Sequence, residues 1–162
     1  MSTRSAANTA NRRAQESVAV FDAIPQAGQL KKVRVFLADD HPHILARVKA
    51  LLEPSFEIVG TASDGQTLVE RACDLGADVL VTDISMPMLT GIEAANQLRE
   101  AGCRSKIVFL TVHADPDFVR ACLATGASGY VVKARMSNDL ARAIREAVVD
   151  HIFISPCLAS EG

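Results

Sequence analysis

Short apolar runs alternate along the chain with longer stretches in which apolar residues recur every three or four positions. The short runs have the length of buried parallel strands, and the longer stretches have the period of helices that pack through one face. The predicted strands cover residues 33–38, 57–62, 79–81, 106–111 and 129–133. The predicted helices cover residues 44–52, 64–75, 92–101, 116–125 and 138–149. Each strand is therefore followed by a helix.

This alternation predicts a parallel sheet with helices on both faces. Helical crossovers between parallel strands are right-handed almost without exception, which leaves few topologies. The simplest is a flavodoxin-like, doubly wound α/β fold, a (βα)5 parallel sheet with strand order 2-1-3-4-5. Its switch point lies between the first and third strands, where sheets of this kind bind ligands. After the fifth helix only residues 153–156 and a short polar end remain.

Local signals mark where three of the helices should begin. Residues 63–66 (Ser-Asp-Gly-Gln) fit a capping box at the start of the second helix. Asp115 followed by Pro116 predicts an N-cap residue and a proline in the first turn of the fourth helix. Ser137 is the predicted N-cap of the fifth helix.

The predicted organisation is one domain with two flanks. Residues 33–156 form the domain, residues 157–162 its C-terminal end and residues 1–32 an N-terminal tail. The tail is rich in Ala, Ser, Asn and Arg, and it has too few apolar residues to offset the entropy cost of ordering. We expect it to be disordered or flexible, or to result from a misplaced start codon. The alternative is a short docking helix through Val18, Phe21 and Ile24.

Composition and charge narrow the possible partners. The chain is 49% hydrophobic and 22% charged, with a net charge of −2. Five basic and two acidic residues lie within residues 1–32, so the remainder is acidic on balance, which argues against nucleic-acid contact by this chain alone. No apolar run approaches the roughly 18 residues of a membrane span, and no signal peptide is visible. We expect a cytoplasmic protein with no membrane contact.

The four cysteines are scattered without metal-ligand spacing. They are Cys73, Cys103, Cys122 and Cys157. In a cytoplasmic protein this pattern predicts reduced thiols.

Acidic residues follow the first and third predicted strands, whose ends should share one rim of the sheet. Asp39 and Asp40 come after the first strand, and Asp83 comes after the third. Carboxylates this close repel each other unless a cation neutralises them. Mg²⁺ takes oxygen ligands and often bridges carboxylates to phosphate, so we expect a Mg²⁺ site here. A zinc site through His41 and His43 is disfavoured, because no third ligand has suitable spacing.

Two further polar residues end the fourth and fifth strands at the same rim. Thr111 offers a hydroxyl donor, and Lys133 offers an amine that can reach phosphate oxygens. With a metal, one amine, one hydroxyl and a central carboxylate, the set suits phosphoryl transfer onto Asp83.

Taken in order, these residues resemble the receiver domain of two-component response regulators. The motifs are Asp39-Asp40, Asp83-x-x-Met86-Pro87, Thr111 and Gly126–Lys133. The run from Asp39 to Pro42 is more narrowly similar to the NarL/FixJ subfamily. The resemblance extends over about residues 33–156, and although each motif alone is weak, the ordered set is specific.

The resemblance implies a role for each residue at the rim. Asp83 is the phospho-acceptor and takes the phosphoryl group from the phosphohistidine of a sensor histidine kinase. Mg²⁺ is held by Asp40, Asp83 and the backbone carbonyl of Ser85, with Asp39 acting largely through a metal-bound water. Lys133 pairs with the phosphoryl group. Catalysis is limited to the chain's own phosphorylation and dephosphorylation, so we do not expect an enzyme in the wider sense.

The resemblance also implies a switch. Thr111 moves to donate to the phosphoryl group, and Tyr130 then turns inward and reshapes the face made by the fourth helix, the fifth strand and the fifth helix. That face controls a protein partner or a homodimer. Ser85 and His113 flank the approach of an attacking water and are expected to tune the lifetime of the phosphoryl-aspartate. A tyrosine that only packs is the alternative for Tyr130.

Three positions depart from the pattern of many receivers. Ala134 stands where proline often follows the lysine, which predicts a less rigid loop. Thr90-Gly91 replaces Asp-Gly. Val112 is bulkier than the usual small residue and could narrow access to the phosphoryl group.

Two kinds of output stay open at this stage. The first is a stand-alone receiver that works by protein contact. The second is the regulatory fragment of a NarL/FixJ-type transcription factor that lacks its helix-turn-helix domain. A phosphatase-like or flavin enzyme on the same sheet order is disfavoured, because no glycine-rich phosphate loop follows the first strand.

Overall fold

The structure is a computed structural model that describes residues 31–159. Its strands are β1 (Arg34–Ala38), β2 (Glu57–Ala62), β3 (Val79–Thr82), β4 (Lys106–Thr111), β5 (Gly129–Val132) and β6 (Phe153–Ile154). Its helices are α1 (Pro42–Leu52), α2 (Gly65–Arg71), α3 (Gly91–Glu100), α4 (Pro116–Ala124), α5 (Met136–Val148) and α6 (Pro156–Ala159), and a 3-10 turn (Lys133–Arg135) joins β5 to α5. The predicted N-terminal tail covers residues 1–32, and residues 1–30 lie outside the described residues, so those predictions are not addressed.

All neighbouring strands are parallel, and their order is β2-β1-β3-β4-β5-β6. The predicted flavodoxin-like order is confirmed, and a sixth strand is added at the β5 edge. Phe153 N donates to Ser128 O and Ser155 N donates to Tyr130 O, both at 2.9 Å. A strand of two residues is too short to show a hydrophobic period, so the sequence pattern does not predict β6. Within the described range, no helix combines the length and the apolarity that crossing a bilayer requires.

The sheet separates two apolar layers because successive strand residues face opposite sides. On β1, Val35 and Leu37 face the layer that contains α1 and α5, whereas Phe36 and Ala38 face the layer that contains α2, α3 and α4. Both faces are covered, as an all-parallel sheet requires. The carboxyl ends of the strands are thus held on a rigid base.

The helix starts agree with the sequence signals in part. Asp115 caps α4 and accepts a hydrogen bond from Asp117 N at 2.8 Å, and Pro116 lies in the first turn, as predicted. At α2 the cap is Asp64, which accepts from Thr67 N at 2.7 Å, so the capping box at residues 63–66 is wrong. Ser137 is also wrong as a cap, because the 3-10 turn runs directly into α5, which begins at Met136, two residues before the predicted start at residue 138.

The ends of α2 and α3 carry a second correction. Cys73 and Cys103 form a disulfide, with Cα atoms 6.0 Å apart. The expectation of four reduced thiols is therefore wrong for these two, whereas Cys122 and Cys157 are not in a disulfide. The cysteines are 30 residues apart in sequence, and they meet because α2 and α3 end side by side below the sheet. Such a meeting cannot be deduced from spacing.

Candidate functional site

Neighbouring strand ends place two carboxylates side by side. Ala38 pairs with Thr82 in the β1–β3 ladder, so Asp39 and Asp83 are the next residue on each strand. Asp83 N donates to Ala38 O and Asp39 N donates to Ala62 O, both at 3.0 Å, which continues the ladder past the last strand residues. Asp39 and Asp83 are only 4% and 5% exposed. The side chains are thus held largely out of water.

The Lys133 amine lies between these two carboxylates. Its Nζ donates to Asp83 Oδ2 at 2.9 Å and is 2.6 Å from Asp39 Oδ2. Burial disfavours the charged amine, but the two carboxylates outweigh burial and raise the pKa of Lys133 above its usual value. Lys133 therefore stays charged near neutral pH and bridges the ends of β1, β3 and β5.

One amine does not satisfy this group of carboxylates. The ion pair between Lys133 and Asp39 lacks the angles of a hydrogen bond, so Asp39 Oδ2 has no hydrogen-bond partner, and neither has Asp40 Oδ1. Buried polar atoms without partners are rare, and such atoms in a native structure point to an absent ion or water. Carboxylate oxygens are the ligands that Mg²⁺ prefers. The residues present therefore fit a Mg²⁺ ion.

A histidine that the sequence analysis did not place at the rim joins the cluster. Ligand atoms of Asp39, Asp40, His41 and Asp83 lie within 4.8 Å of one another. His41 Nδ1 lies 3.1 Å from both Asp39 Oδ1 and Asp40 Oδ1, and His41 N also donates to Asp39 Oδ1 at 2.9 Å. His41 thus orients the carboxylates. The only signal was its place directly after Asp40, and the sequence analysis considered it only with His43, as zinc ligands.

The loop that follows Asp83 is fixed by two close backbone approaches. Ile84 N donates to Asp83 Oδ1 at 2.7 Å, and Gly91 N donates to Ile84 O at 2.6 Å. A Cβ at Gly91 would lie 1.9 Å from Asp83 O, and one at Gly65 would lie 2.2 Å from Leu89 O. Only glycine permits these approaches, so the starts of α2 and α3 both press on residues 84–90.

His113 connects the two residues expected to act as a switch. His113 N donates to Thr111 Oγ1 at 3.2 Å, and Tyr130 OH donates to His113 O at 2.6 Å. Thr111 and Tyr130 are fully buried. Burial, followed by nearby charges, raises the pKa of Tyr130 well above its usual value. Tyr130 already lies inward, in the position that the sequence analysis expected it to reach after phosphorylation.

The other atoms of His113 face the open side of the rim. Its Nε2 lies 3.2 Å from Ser85 Oγ, and its ring stacks on Phe118 with centroids 4.2 Å apart. Val112, which the sequence analysis considered as an obstruction, is 69% exposed. Among the described residues, no hydrogen bond joins Thr111 or Tyr130 to the acidic cluster, so their connection to it passes through the loop that holds His113.

A network of hydrogen bonds surrounds the turn after Lys133, where many receivers have a proline. Ser155 Oγ accepts from Val132 N at 3.1 Å and donates to Asp139 Oδ2 at 3.0 Å, and Arg135 Nε donates to the same Asp139 oxygen at 3.0 Å. Ser155 is fully buried and Asp139 is 5% exposed. Hydrogen bonds therefore hold the residues on both sides of Ala134, and the less rigid loop stays a prediction.

The structure thus brings together Asp39, Asp40, Asp83 and Lys133, with Ser85 and His113 beside them. Thr111 and Tyr130 lie outside this cluster, and each forms a hydrogen bond with the backbone of His113. The roles predicted for these residues stay predictions.

Comparison with known proteins gives a consistent family. The family model of the response regulator receiver domain matches residues 35–145. The transcriptional regulatory protein DesR of Bacillus subtilis is 36% identical over 131 residues, which is 80% of this chain and 65% of DesR. The nitrate/nitrite response regulator protein NarL of Escherichia coli K12 is 33% identical over 126 residues, which is 76% of this chain and 58% of NarL. The chain spans less than two thirds of the length of these relatives.

Solved structures agree with the sequence relatives. A two-component response regulator of the LuxR family from Aurantimonas sp. SI85-9A1 superposes with a TM-score of 0.77 at 29% identity, covering 81% of this chain and 95% of that one. The isolated receiver domain of RcsB from Salmonella enterica serovar Typhimurium, solved with the phosphomimetic BeF₃⁻, gives a TM-score of 0.74 at 27% identity and covers 80% of this chain and 98% of that one.

Proposed function

Because the chain belongs to the response regulator receiver domain family of two-component systems, we propose that Asp83 is its phospho-acceptor. Response regulators of this family are phosphorylated by histidine kinases and can dimerise, and the family generally binds Mg²⁺ at an acidic pocket. The proposal assigns those general properties to particular residues of this chain. The observation that carries it is the contact of Lys133 with both Asp39 and Asp83, in a cluster where Asp39 Oδ2 and Asp40 Oδ1 have no hydrogen-bond partner.

In this proposal Asp39, Asp40 and Asp83 hold Mg²⁺, with the backbone carbonyl of Ser85 as a further ligand and Asp39 acting largely through a bound water. The oxygens of Asp39 and Asp40 that have no hydrogen-bond partner support this set of ligands. When bound, the metal neutralises negative charge on the carboxylates and on the incoming phosphoryl oxygens. His41 keeps the two carboxylates oriented from the side of α1.

Asp83 supplies the nucleophile. One of its carboxylate oxygens attacks the phosphorus of the phosphohistidine, and the bond from phosphorus to the imidazole nitrogen breaks. Asp83 Oδ1 is held by Ile84 N, while Asp83 Oδ2 meets only the Lys133 amine. An amine at this position stays beside the phosphoryl oxygens after transfer and offsets their charge. The catalysis is limited to the chain's own phosphorylation and dephosphorylation.

The phosphoryl signal passes through His113 in this scheme. Thr111 Oγ1, which accepts from His113 N, turns to donate to the phosphoryl group, and the loop that carries His113 shifts with it. Tyr130 follows because its hydroxyl is bound to His113 O. Ser85 and His113, 3.2 Å apart at the open rim, tune how fast water removes the phosphoryl group.

The output surface is the face of α4, β5 and α5, which acts on a protein partner or forms a homodimer. The outer edge of β5 already pairs with β6. A dimer through this face therefore uses helix side chains, because that strand edge has no free hydrogen-bonding row to offer. A cytoplasmic location remains part of the proposal.

The direct test is phosphorylation of the purified chain with acetyl phosphate and Mg²⁺, followed by intact-mass analysis and phosphotransfer from purified histidine kinases. We expect one acid-labile phosphoryl group on the wild type and none on Asp83→Asn. The matched control is Asp139→Asn, which changes another buried aspartate and should still be phosphorylated. A stable phosphoryl group on Asp83→Asn would contradict the assignment.

A second candidate concerns what the receiver controls. DesR and the protein YvfU of Bacillus subtilis carry names of transcriptional regulators, and the matches cover 65% and 63% of their lengths. We propose as the alternative that this chain is the regulatory part of such a regulator, separate from a helix-turn-helix domain. Reading the gene on both sides of the coding sequence, and testing the purified chain for DNA binding, separates this role from action by protein contact alone.

A further inference from the structure

The disulfide joins α2 and α3 at the ends that lie away from the acidic rim. Cys73 lies in the turn after α2, and Cys103 follows α3. The same two segments are also held by a hydrogen bond from Ser105 Oγ to Ala77 O, at 2.6 Å. This hydrogen bond does not involve sulfur, so it can persist when the disulfide is reduced and limit how far the two cysteines separate.

These cysteines are open to small reagents, unlike the buried one. Cys73 is exposed and Cys103 is half-buried, and both border an open cleft of about 680 Å³ that Arg104 also lines. The thiolate is the reactive form of cysteine, and neighbouring cations favour it. In contrast, burial raises the pKa of the Cys122 thiol to about 12. Thiol exchange is therefore favoured at the pair by the cleft over Cys122, while Cys157 is also exposed.

The same two helices hold the loop beside Asp83 at their other ends. Gly65, the first residue of α2, donates its N–H to Pro87 O at 3.3 Å, and its Cα side is closed by Leu89 O. Gly91, the first residue of α3, lies against Asp83 O. Any change in how α2 and α3 sit against each other therefore reaches residues 84–90, which include Ser85.

We propose that Cys73 and Cys103 are a reversible redox pair, and that their disulfide holds α2 and α3 together so that residues 84–90 stay in place for Mg²⁺ binding and phosphoryl transfer. The Mg²⁺ and phosphorylation readouts rest on the proposed function, whereas the thiol readout does not. A disulfide in a cytoplasmic protein is usually transient and regulatory, which agrees with a sensing role.

The co-reactant is a low-molecular-weight disulfide of the glutathione type. One protein thiolate attacks a sulfur of that disulfide and expels one small thiolate, which leaves a mixed disulfide. The second protein thiolate then attacks the protein sulfur of the mixed disulfide and expels the other small thiolate. The protein pair is oxidised by two electrons, the small disulfide is reduced to two thiols, and two protons pass from the protein thiols to them.

The test uses the full chain carrying Cys157→Ser, which removes the other exposed thiol. The protein is equilibrated in oxidised or reduced glutathione buffers, its free thiols are trapped by alkylation, and their positions are read by mass spectrometry. Mg²⁺ affinity is measured by titration calorimetry in each form, and the rate of phosphorylation is measured with acetyl phosphate. The control adds Cys73→Ser and Cys103→Ser to the same background.

We expect reversible loss of the Cys73 and Cys103 thiols under oxidising conditions. We also expect Mg²⁺ affinity and phosphorylation rate to fall about fivefold on reduction, a typical size for coupling between two sites. The control should behave like the reduced form in both buffers.

Two results would overturn the proposal. The first is that both thiols remain alkylatable under oxidising conditions, and the second is that the oxidised and reduced forms bind Mg²⁺ equally well and are phosphorylated at equal rates. If neither form accepts a phosphoryl group while Mg²⁺ affinity still follows the redox state, the assignment of Asp83 fails and the redox coupling stands.

Discussion

Two buried aspartates, Asp83 and Asp139, lie on either side of the turn that contains Lys133, and they are equally inaccessible at 5% exposure. Asp139 Oδ2 accepts hydrogen bonds from Arg135 and Ser155, and no atom of Asp139 is both buried and partnerless. Around Asp83, three carboxylates cluster with His41, Lys133 contacts two of them, and one oxygen each of Asp39 and Asp40 lacks a hydrogen-bond partner.

The difference separates a buried carboxylate within a structural network from the cluster that we propose as the phosphorylation site. Burial of a polar atom costs free energy unless the atom has a hydrogen-bond partner, and Asp139 has no buried oxygen without one. In the cluster around Asp83, one oxygen of Asp39 and one of Asp40 lack such a partner. Buried oxygens without a hydrogen-bond partner, rather than burial or charge alone, distinguish the cluster around Asp83. Five predictions test or extend this contrast, from the largest expected effect to the smallest.

Removing the two carboxylates that each have an oxygen without a hydrogen-bond partner should abolish metal binding. The double variant Asp39→Ala, Asp40→Ala leaves one carboxylate of the cluster, too few to hold Mg²⁺ beside the Lys133 amine. We expect no saturable Mg²⁺ binding in a calorimetric titration. Asp139→Asn, which removes a satisfied carboxylate, should bind Mg²⁺ like the wild type. Undiminished binding by the double variant would place the metal elsewhere.

Removing the shared amine should separate metal binding from phosphoryl transfer. In Lys133→Ala the carboxylates lose the cation that competes with Mg²⁺, so we expect tighter Mg²⁺ binding. Phosphorylation by acetyl phosphate should nevertheless slow by about 10²-fold, because the charge that stabilises the phosphoryl oxygens is gone. Arg135→Ala is the control on the neighbouring pair, and it should change neither quantity strongly. Parallel loss of Mg²⁺ affinity and rate in Lys133→Ala would show that the amine only supports the fold.

The acidic rim could be predicted because each of its residues directly follows a strand. Asp39, Asp83 and Lys133 end three parallel strands, and parallel strands deliver their carboxyl ends to one edge. The fold followed from the same regularity, since five strand and helix periods are long enough to recognise. Neither prediction needed information about which side chains meet.

The features that could not be predicted depend on tertiary contacts without a period. Ser155 reaches Asp139 across 16 residues, and Cys73 reaches Cys103 across 30. The strand β6 has two residues and exists because Ser128 and Tyr130 offer it a free edge. A cap such as Ser137 failed because a 3-10 turn competes with a capped start, and both suit the same polar residues.

Stability should respond to the two carboxylates in opposite ways. Asp139→Ala leaves the buried Ser155 hydroxyl without its acceptor, so we expect the free energy of unfolding to fall by about 1–3 kcal/mol. Asp40→Asn removes a charge from a crowded cluster, so in Mg²⁺-free buffer it should leave stability unchanged or raise it. Urea unfolding followed by circular dichroism measures both. Equal destabilisation by the two variants would remove the contrast between a satisfied and an unsatisfied site.

Replacing Tyr130 should have the smallest effect on stability. The effect can be assigned to this side chain by spectroscopy, because Tyr130 is the only tyrosine of the chain and there is no tryptophan. Its hydroxyl donates to His113 O at the boundary between the core and the rim. Tyr130→Phe removes one neutral hydrogen bond and should lower the free energy of unfolding by about 1 kcal/mol at neutral pH. It should also weaken the response of the α4 and α5 face to the phosphomimetic BeF₃⁻, which amide chemical shifts of those helices would record.

The free energy of unfolding should also depend on pH differently in the wild type and in Tyr130→Phe. Burial raises the pKa of Tyr130 in the folded state above its unfolded value of about 10. Between the two values the unfolded chain has lost a proton that the folded chain keeps, so the free energy of unfolding decreases as pH rises. The contribution is complete below about pH 10, and it is lost above that value. Tyr130→Phe has no such group, so its stability should fall less steeply over the alkaline range, with phenolate absorbance reporting ionisation in the wild type. If wild type and variant lose stability in parallel above about pH 10, Tyr130 ionises as freely in the folded state as in the unfolded one, and its hydroxyl is not held by His113.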